Sequence, residues 1–239
     1  MPFYSQIVEA YDQLFPLNMK QVEFVENAVG GNLAAKRIMD IGCGTGSLSI
    51  ALARRSAVVR GFDYDREMVI KAEEKRPQAL DLQFQEGDMK ATAALYSNSM
   101  FDAVLCFGNT LVHLTSLDEV KAVFSNISKQ ILQGGKFLFQ IINYDRILAE
   151  NVDALPTIQT DKYNFVRNYI HRSDGNIDFE TILSTGDEKI ENTVPLLAVT
   201  KSQIVELLEP IFGDIKCYGG FDGSDWSKDT FHLVVEATK

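Results

Sequence analysis

The sequence predicts an α/β fold: a doubly wound, mostly parallel seven-stranded sheet carrying a small antiparallel β insertion. Three observations lead there. Residues 38–41, Ile-Met-Asp-Ile, form a short apolar run that breaks into Gly-Cys-Gly-Thr-Gly and opens a helix-periodic stretch at 48–55. A strand, a glycine turn and a helix in that order begin a nucleotide-type α/β unit. Apolar runs at 57–62, 82–89, 101–107 and 136–142 then alternate with helical patterns, as stacked βα units require. From 161 to 199 the pattern changes to alternating runs broken at Ser173-Asp-Gly-Asn176 and Thr185-Gly-Asp-Glu188, which reads as three inserted antiparallel strands.

Each element has its own signal. Tyr4, Ile7, Val8, Tyr11 and Leu14 recur at helical spacing within the first 17 residues. This segment either packs against the body or forms a lid over a ligand. Asn18, with Gln21 at the third position, caps a helix that ends at Gly30-Gly31. The glycine turn follows, then the strand at 57–62 with Asp63 at its end and a helix capped by Asp65. Ser116 and Glu119 suggest a capping box for a helix ending before Gly134-Gly135, and Thr200 and Gln203 suggest one for a long last helix. Residues 214–218 and 230–237 read as two closing strands. The expected divisions are 1–17 (lid), 18–144 (nucleotide-binding core), 145–199 (insertion) and 200–239 (last helix and strand pair).

Composition narrows the function. At 239 residues the chain can bury a full core, and 46% hydrophobic with 23% charged residues is ordinary for a globular protein. A formal net charge of −10 argues against a nucleic-acid partner, since polyanion binding concentrates Lys and Arg. The three cysteines form no CxxC pair, and no long apolar run or signal peptide is seen, so the expectation is a cytoplasmic protein without a membrane partner. No cluster has metal-ligand spacing, so no metal is expected. Nothing selects a monomer over a homodimer.

The glycine spacing is informative. The dinucleotide fingerprint places a small residue three after its second glycine. Here Ser47 holds that position and a glycine falls one residue earlier. Asp40, just before the turn, would repel a diphosphate and suit a cation. Asp63 stands about 20 residues beyond the turn, where an acid accepts both ribose hydroxyls. That residue alone does not separate a nicotinamide cofactor from another nucleoside.

The run Ile-Met-Asp-Ile-Gly-Cys-Gly-Thr-Gly at 38–46 resembles the first motif of class I S-adenosylmethionine (SAM) dependent methyltransferases. Gly87-Asp88-Met89 resembles their adenine-reading segment, and two strands after the last helix suit their closing antiparallel pair. The resemblance implies SAM as cofactor and S-adenosylhomocysteine (SAH) as product. It assigns the methionyl end to Asp40, Gly42 and Gly44, the ribose to Asp63, and adenine to Asp88 with Met89 beside the ring. Phe107, Gly108 and Asn109 would face the methyl group. Tyr11, Cys43, Gly46, Tyr64, Met68 and Gly87 complete the expected cofactor surroundings.

A narrower resemblance rests on Phe107-Gly-Asn-Thr-Leu-Val-His-Leu114 and Asn143-Tyr-Asp-Arg-Ile-Leu148. These are similar to glycine and sarcosine N-methyltransferases and their small-molecule relatives. In glycine N-methyltransferases an arginine before the Asn-Tyr-Asp run holds the substrate carboxylate; here that position is Ile142, so a less acidic or more apolar acceptor is expected. The resemblance implies His113 and Asn109 at the reaction centre, His113 as general base or substrate ligand, with Tyr144 nearby. Tyr4, Arg146, Arg167, Tyr169, Phe221 and Trp226 are further acceptor-pocket candidates. His171 and His232 are read as structural. The absence of a Pro-Pro-aromatic or Pro-Cys segment after the fourth strand makes nucleic-acid bases a poor fit. The expected activity is methyl transfer to nitrogen or oxygen of a small molecule. The rivals are a SAM-binding protein without catalysis and an NAD-dependent oxidoreductase.

Overall fold

The computed structural model describes residues 4–96, 99–186 and 188–239. Its main sheet has seven strands in the order β10-β11-β5-β4-β1-β2-β3. These are β1 (Arg37–Ile41), β2 (Val58–Asp63), β3 (Leu82–Glu86), β4 (Phe101–Cys106), β5 (Ile131–Ile142), β10 (Asp214–Tyr218) and β11 (His232–Thr238). The first five pair in parallel, with Ile38 opposite both Val59 and Ala103. β11 runs antiparallel to both β5 and β10, so the two closing strands stand as the sequence predicts.

The central strands are buried on both faces, which explains their unbroken apolar runs. Met39, Ile41, Val104, Cys106, Phe137, Phe139 and Ile141 pack on one face. Ile38, Ala103, Leu105 and Leu138 pack on the other, against Ile50, Leu52 and Ala53 of α3 (Ser47–Arg54). Asp40 shares the Ile38 face by the period of two, which puts its carboxyl under that helix, where Ser49 donates to it.

The other helices are α1 (Tyr11–Leu14), α2 (Met19–Ala28), α4 (Arg66–Lys75), α5 (Thr92–Leu95), α6 (Leu117–Gln130), α7 (Tyr144–Ala149) and α8 (Lys201–Leu208). Asn18 caps α2 by accepting from Lys20 N, and Asp65 caps α4 by accepting from Glu67 N. Thr200 and Gln203 form the full reciprocal box of α8. Ser116 forms only half of one: its hydroxyl accepts from Glu119 N, while the Glu119 carboxylate takes the N–H and hydroxyl of Thr115.

Several elements differ from expectation. The N-terminal segment is a 3-10 turn at Tyr4–Gln6 and the four-residue α1 rather than one helix, and its Ile7, Ala10 and Leu14 join one cluster with Phe165 and Leu183. α6 stops at Gln130, and β5 starts at once with Ile131, before the two glycines. A register shift between Phe101 and Ala103 absorbs that early start. β3 ends at Glu86, because Asp88 caps a 3-10 turn at Met89–Ala91. α8 has eight residues and is not long.

The insertion begins with the helix α7 and contains four strands: β6 (Ala154–Gln159), β7 (Asn164–His171), β8 (Ile177–Thr185) and β9 (Glu188–Leu196). β6 was hidden by Pro156, which an edge strand tolerates because one side of it carries no ladder bonds. Asp187 of the second expected turn lies outside the described residues. The insertion packs on the N-terminal segment through Phe165, Leu183, Ile7 and Leu14, and on the main core through Leu155, Tyr169 and Leu196. It therefore roofs the carboxyl ends of the central strands.

Candidate active site

The site lies where the strand order reverses, between β1 and β4, beyond their carboxyl ends, as open α/β sheets favour. The glycine turn has been shaped from within. Gly42 N and Cys43 N both donate to Phe62 O at 2.9 and 3.0 Å, Gly46 N donates to Cys43 O, and Gly44 N donates to Asp63 Oδ2 at 2.8 Å. These four N–H groups are already satisfied. A diphosphate at the turn would meet the nearby Asp63 carboxylate.

Two of the glycines do different work. Gly44 has φ +54°, and a Cβ there would stand 3.1 Å from the ring of Tyr11, which lies over the turn. Gly46 has φ +78°, and its Cβ would stand 2.4 Å from Phe84 Cζ. Gly46 thus seats the turn against β3 and faces no cavity.

Two adjoining cavities open around the turn and share Tyr11, Gly42, Gly108 and His113 as a common wall. One, of about 430 Å³, is lined by Asp63, Tyr64, Met68, Gly87, Asp88 and Met89. Tyr64 is exposed at its mouth, whereas Met68 is buried. Asp63 Oδ1 also accepts from Asp65 N at 2.9 Å. Asp88 Oδ1 accepts from Lys90 N at 2.8 Å.

The other cavity, of about 330 Å³, runs from Asp40, Cys43, Thr45 and Ser47 to the insertion. Its far wall holds Ile142, Leu155, Phe165, Arg167, Tyr169, Phe179 and Leu196. Phe165, Arg167 and Tyr169 alternate along β7, so one strand face presents all three.

The charges have physical consequences. Asp40 is 3% exposed, and its Oδ2 accepts from Ser49 Oγ at 2.6 Å. Burial pushes its carboxyl up to about 7, against the Ser49 bond, and the nearby Asp63 adds to the rise. Asp63 is pushed up to about 6, again chiefly by burial, despite its backbone bonds. Both rises mark carboxyls without a cation beside them. Burial, with Asp63 and Asp40 adding, also raises the Cys43 thiol well above its ordinary range, so it is a neutral group here. His113 ends a 3-10 turn at Thr110–His113, and burial lowers it to about 4, so its imidazole is neutral at pH 7.

Asn109, in the left-handed region at φ 66°, is spent on structure. Its Oδ1 accepts from Ile142 N at 2.9 Å and its Nδ2 donates to Tyr144 Oη at 3.3 Å, tying the β4 loop to the end of β5. Asn109 still lines the 330 Å³ cavity; Tyr144, 1% exposed, lies in the core behind it. Arg146 lines neither cavity. It stands 3.8 Å from Glu150 and over the Phe231 ring. Trp226 also lies outside, with Lys201 Nζ 4.6 Å over its ring. Phe221 packs on the back of Phe107 with centroids 4.9 Å apart. The side chain of Tyr4 lies outside the described residues.

Some wall residues escaped the sequence reading. Gln140 lines the cavity, and its Oε1 accepts from Gly108 N at 3.0 Å. Its signal was a lone amide inside the apolar run 137–142. His232, read as structural, lines the same cavity, while His171 is a framework residue bonded to Val152 O. Asp12 gathers Thr45 Oγ1, Ser47 Oγ and Lys75 Nζ at 2.5, 3.0 and 2.5 Å. Burial raises its carboxyl, but these partners outweigh that and hold it low. With Ser5 donating to Asp65 and Lys71 donating to Glu9, they fasten the N-terminal segment over the turn.

Among the described residues no three His, Cys, Asp or Glu side chains group as metal ligands. Among the described residues no helix is long and apolar enough to cross a membrane.

Residues 38–135 match the model of a methyltransferase domain. The chain is 31% identical over 137 residues to a Geobacillus sp. (strain WCH70) protein named provisionally as a methyltransferase, covering 57% of this chain and 54% of that one. It is 28% identical over 200 residues to glycine/sarcosine N-methyltransferase of Aphanothece halophytica, covering 83% of this chain and 72% of that one. The chain spans about half the length of the first curated relatives it matches. A SAM-dependent methyltransferase structure from Clostridium acetobutylicum ATCC 824 superposes with a TM-score of 0.80 at 21% identity, covering 99% of both chains. Residues 38–135 thus match a methyltransferase domain, and the chain as a whole has the fold of SAM-dependent methyltransferases.

Proposed function

We propose that this chain moves a methyl group from SAM to a nitrogen or oxygen of a small-molecule acceptor. The observation that carries the reading is the pair of adjoining cavities, with Asp40 and Asp63 both raised by burial and neither paired with a cation. Such carboxyls suit a ligand that brings a positive charge and hydroxyl donors; SAM brings both.

Asp63 and Asp88 would hold the ribose and the adenine amine in the larger cavity, with Met68 and Met89 against the ring. Asp40, Gly42 and Gly44 would take the methionyl end, and Tyr11 would close over the turn as part of a lid. When bound, SAM supplies an electrophilic methyl on a good leaving group. The chain's contribution is then to align the acceptor and exclude water. Phe107 and Gly108 would form the wall beside the transferring methyl. His113, held neutral and weakly basic, fits a hydrogen-bond acceptor that orients an N–H or O–H better than a strong general base. The name of the Aphanothece halophytica relative supports a small nitrogen acceptor as one case.

The test is formation of SAH from labelled SAM with a panel of amines, phenols and carboxylic acids, and mass spectrometry of the product. Acceptor-dependent SAH with a mass gain of one methyl supports the reading. Tight SAH binding without turnover on any class would favour a non-catalytic SAM binder.

A further inference from the structure

The 330 Å³ cavity is lined by an arginine, Arg167, that no carboxylate among the described residues neutralises. Arg167 lies on β7 between Phe165 and Tyr169 and lines this cavity together with the apolar side chains of Ile142, Leu155, Phe179 and Leu196. A guanidinium has five N–H donors. Arg167 Nη2 donates to Pro156 O at 2.5 Å, while its Nε is buried with no hydrogen-bond partner. Among the described residues no carboxylate stands within ion-pair distance of it. The cavity's two carboxyls are committed elsewhere: Asp12 to Lys75, Thr45 and Ser47, and Asp40 to Ser49. Burial lowers the Arg167 pKa, and the nearby Tyr169 only partly offsets this.

An unpaired, partly desolvated cation in an apolar cavity is costly and is satisfied best by a carboxylate, whose two oxygens match the guanidinium fork. We propose that the methyl acceptor is a carboxylic acid with an apolar or aromatic body, its carboxylate received by Arg167. This rests on the methyltransferase reading and adds the substrate class. It also alters the expectation raised by Ile142: the cation that residue lacks is offered from the roof of the cavity, on a different strand. The reacting nitrogen or oxygen then lies away from Arg167, toward Gly108 and His113, which border both cavities.

Matched probes test it. In the presence of saturating SAH, 4-hydroxybenzoate is compared with 4-hydroxybenzyl alcohol, and N-benzylglycine with N-methylbenzylamine. The readouts are thermal shift and, with labelled SAM, methyl transfer. In the wild type the carboxylate member of at least one pair should bind about tenfold tighter or more, the range expected for charge-assisted bonds. Arg167→Gln should erase that preference while leaving the SAH shift and the response to the neutral member intact, and Arg167→Lys should retain part of it. No carboxylate preference in either pair overturns the proposal. So does a loss in Arg167→Gln that falls equally on both members. Absence of the SAH shift in the wild type would instead remove the methyltransferase reading.

Discussion

Replacing Asp63 by alanine should separate ligand binding from folding. In the structure its two oxygens accept from Gly44 N and Asp65 N at 2.8 and 2.9 Å, joining the glycine turn to the cap of α4. Losing two charge-assisted bonds costs about 1.5–3 kcal/mol each. Against this, burial has raised the carboxyl to about 6, roughly two units above its ordinary value, and removing it relieves at most about 3 kcal/mol. The two effects oppose each other, so with the full relief global stability should fall by about 0–3 kcal/mol. Binding has no such offset. Two ribose hydroxyls lose a charged acceptor, worth about 3–6 kcal/mol together, or about a 100- to 10,000-fold rise in Kd for SAH. Calorimetric titration of SAH beside urea unfolding measures both quantities. Asp63→Asn, which keeps one acceptor oxygen, should fall between. A folded Asp63→Ala protein that binds SAH within tenfold of wild type would refute the ribose assignment.

The other predictions follow from the same geometry. Gly46→Ala combines a left-handed φ, about 1–2 kcal/mol, with overpacking against Phe84, about 1–3 kcal/mol, and should lower Tm clearly. Gly44→Ala pushes on Tyr11 instead and should weaken SAH binding more than it lowers Tm; the reverse ranking in paired melting and titration would contradict the division of labour. Binding a cation and hydroxyl donors favours ionised Asp40 and Asp63, so SAH affinity should drop as pH falls through 7 and then 6, approaching tenfold per pH unit for each carboxyl. A flat titration from pH 8 to 5 would speak against both roles. Without ligand the sign is opposite. Asp40 holds its proton more tightly folded than unfolded, so its ionisation costs stability between about pH 4 and 7, by about 4 kcal/mol in full. Asp40→Asn should therefore raise Tm at pH 8 while weakening SAH binding.

Much of the core was legible because period, caps and turns agree there. The unbroken apolar runs of β1 and β4 announce strands covered on both faces, and Asp65 and Thr200 are caps whose chemistry is local. The misses share a cause: they depend on neighbours distant in sequence. Pro156 reads as a breaker until β6 proves to be an edge strand, and the early start of β5 is absorbed by a register shift against β4. The resemblance to glycine and sarcosine N-methyltransferases puts Asn109 at the reaction centre; only the structure reveals that Ile142 N and Tyr144 occupy its amide. The bonds that the N–H groups of Gly42, Cys43 and Gly44 make are out of reach of the sequence for the same reason, since Phe62 O and Asp63 come from the next strand. Arg167 and Tyr169 could be picked out as candidates, but their convergence with Phe165 on one cavity wall required the roof to be built.

The central claim is that the cavities flanking the glycine turn receive SAM. Thermal shift with SAM, SAH and NAD in parallel tests it most directly. At a hundred times its Kd a ligand adds about 2.7 kcal/mol, which for a chain of this size is a rise of roughly 5–11 °C. SAM and SAH should each produce that rise and NAD should produce none. A shift with NAD and none with either SAM compound would contradict the account.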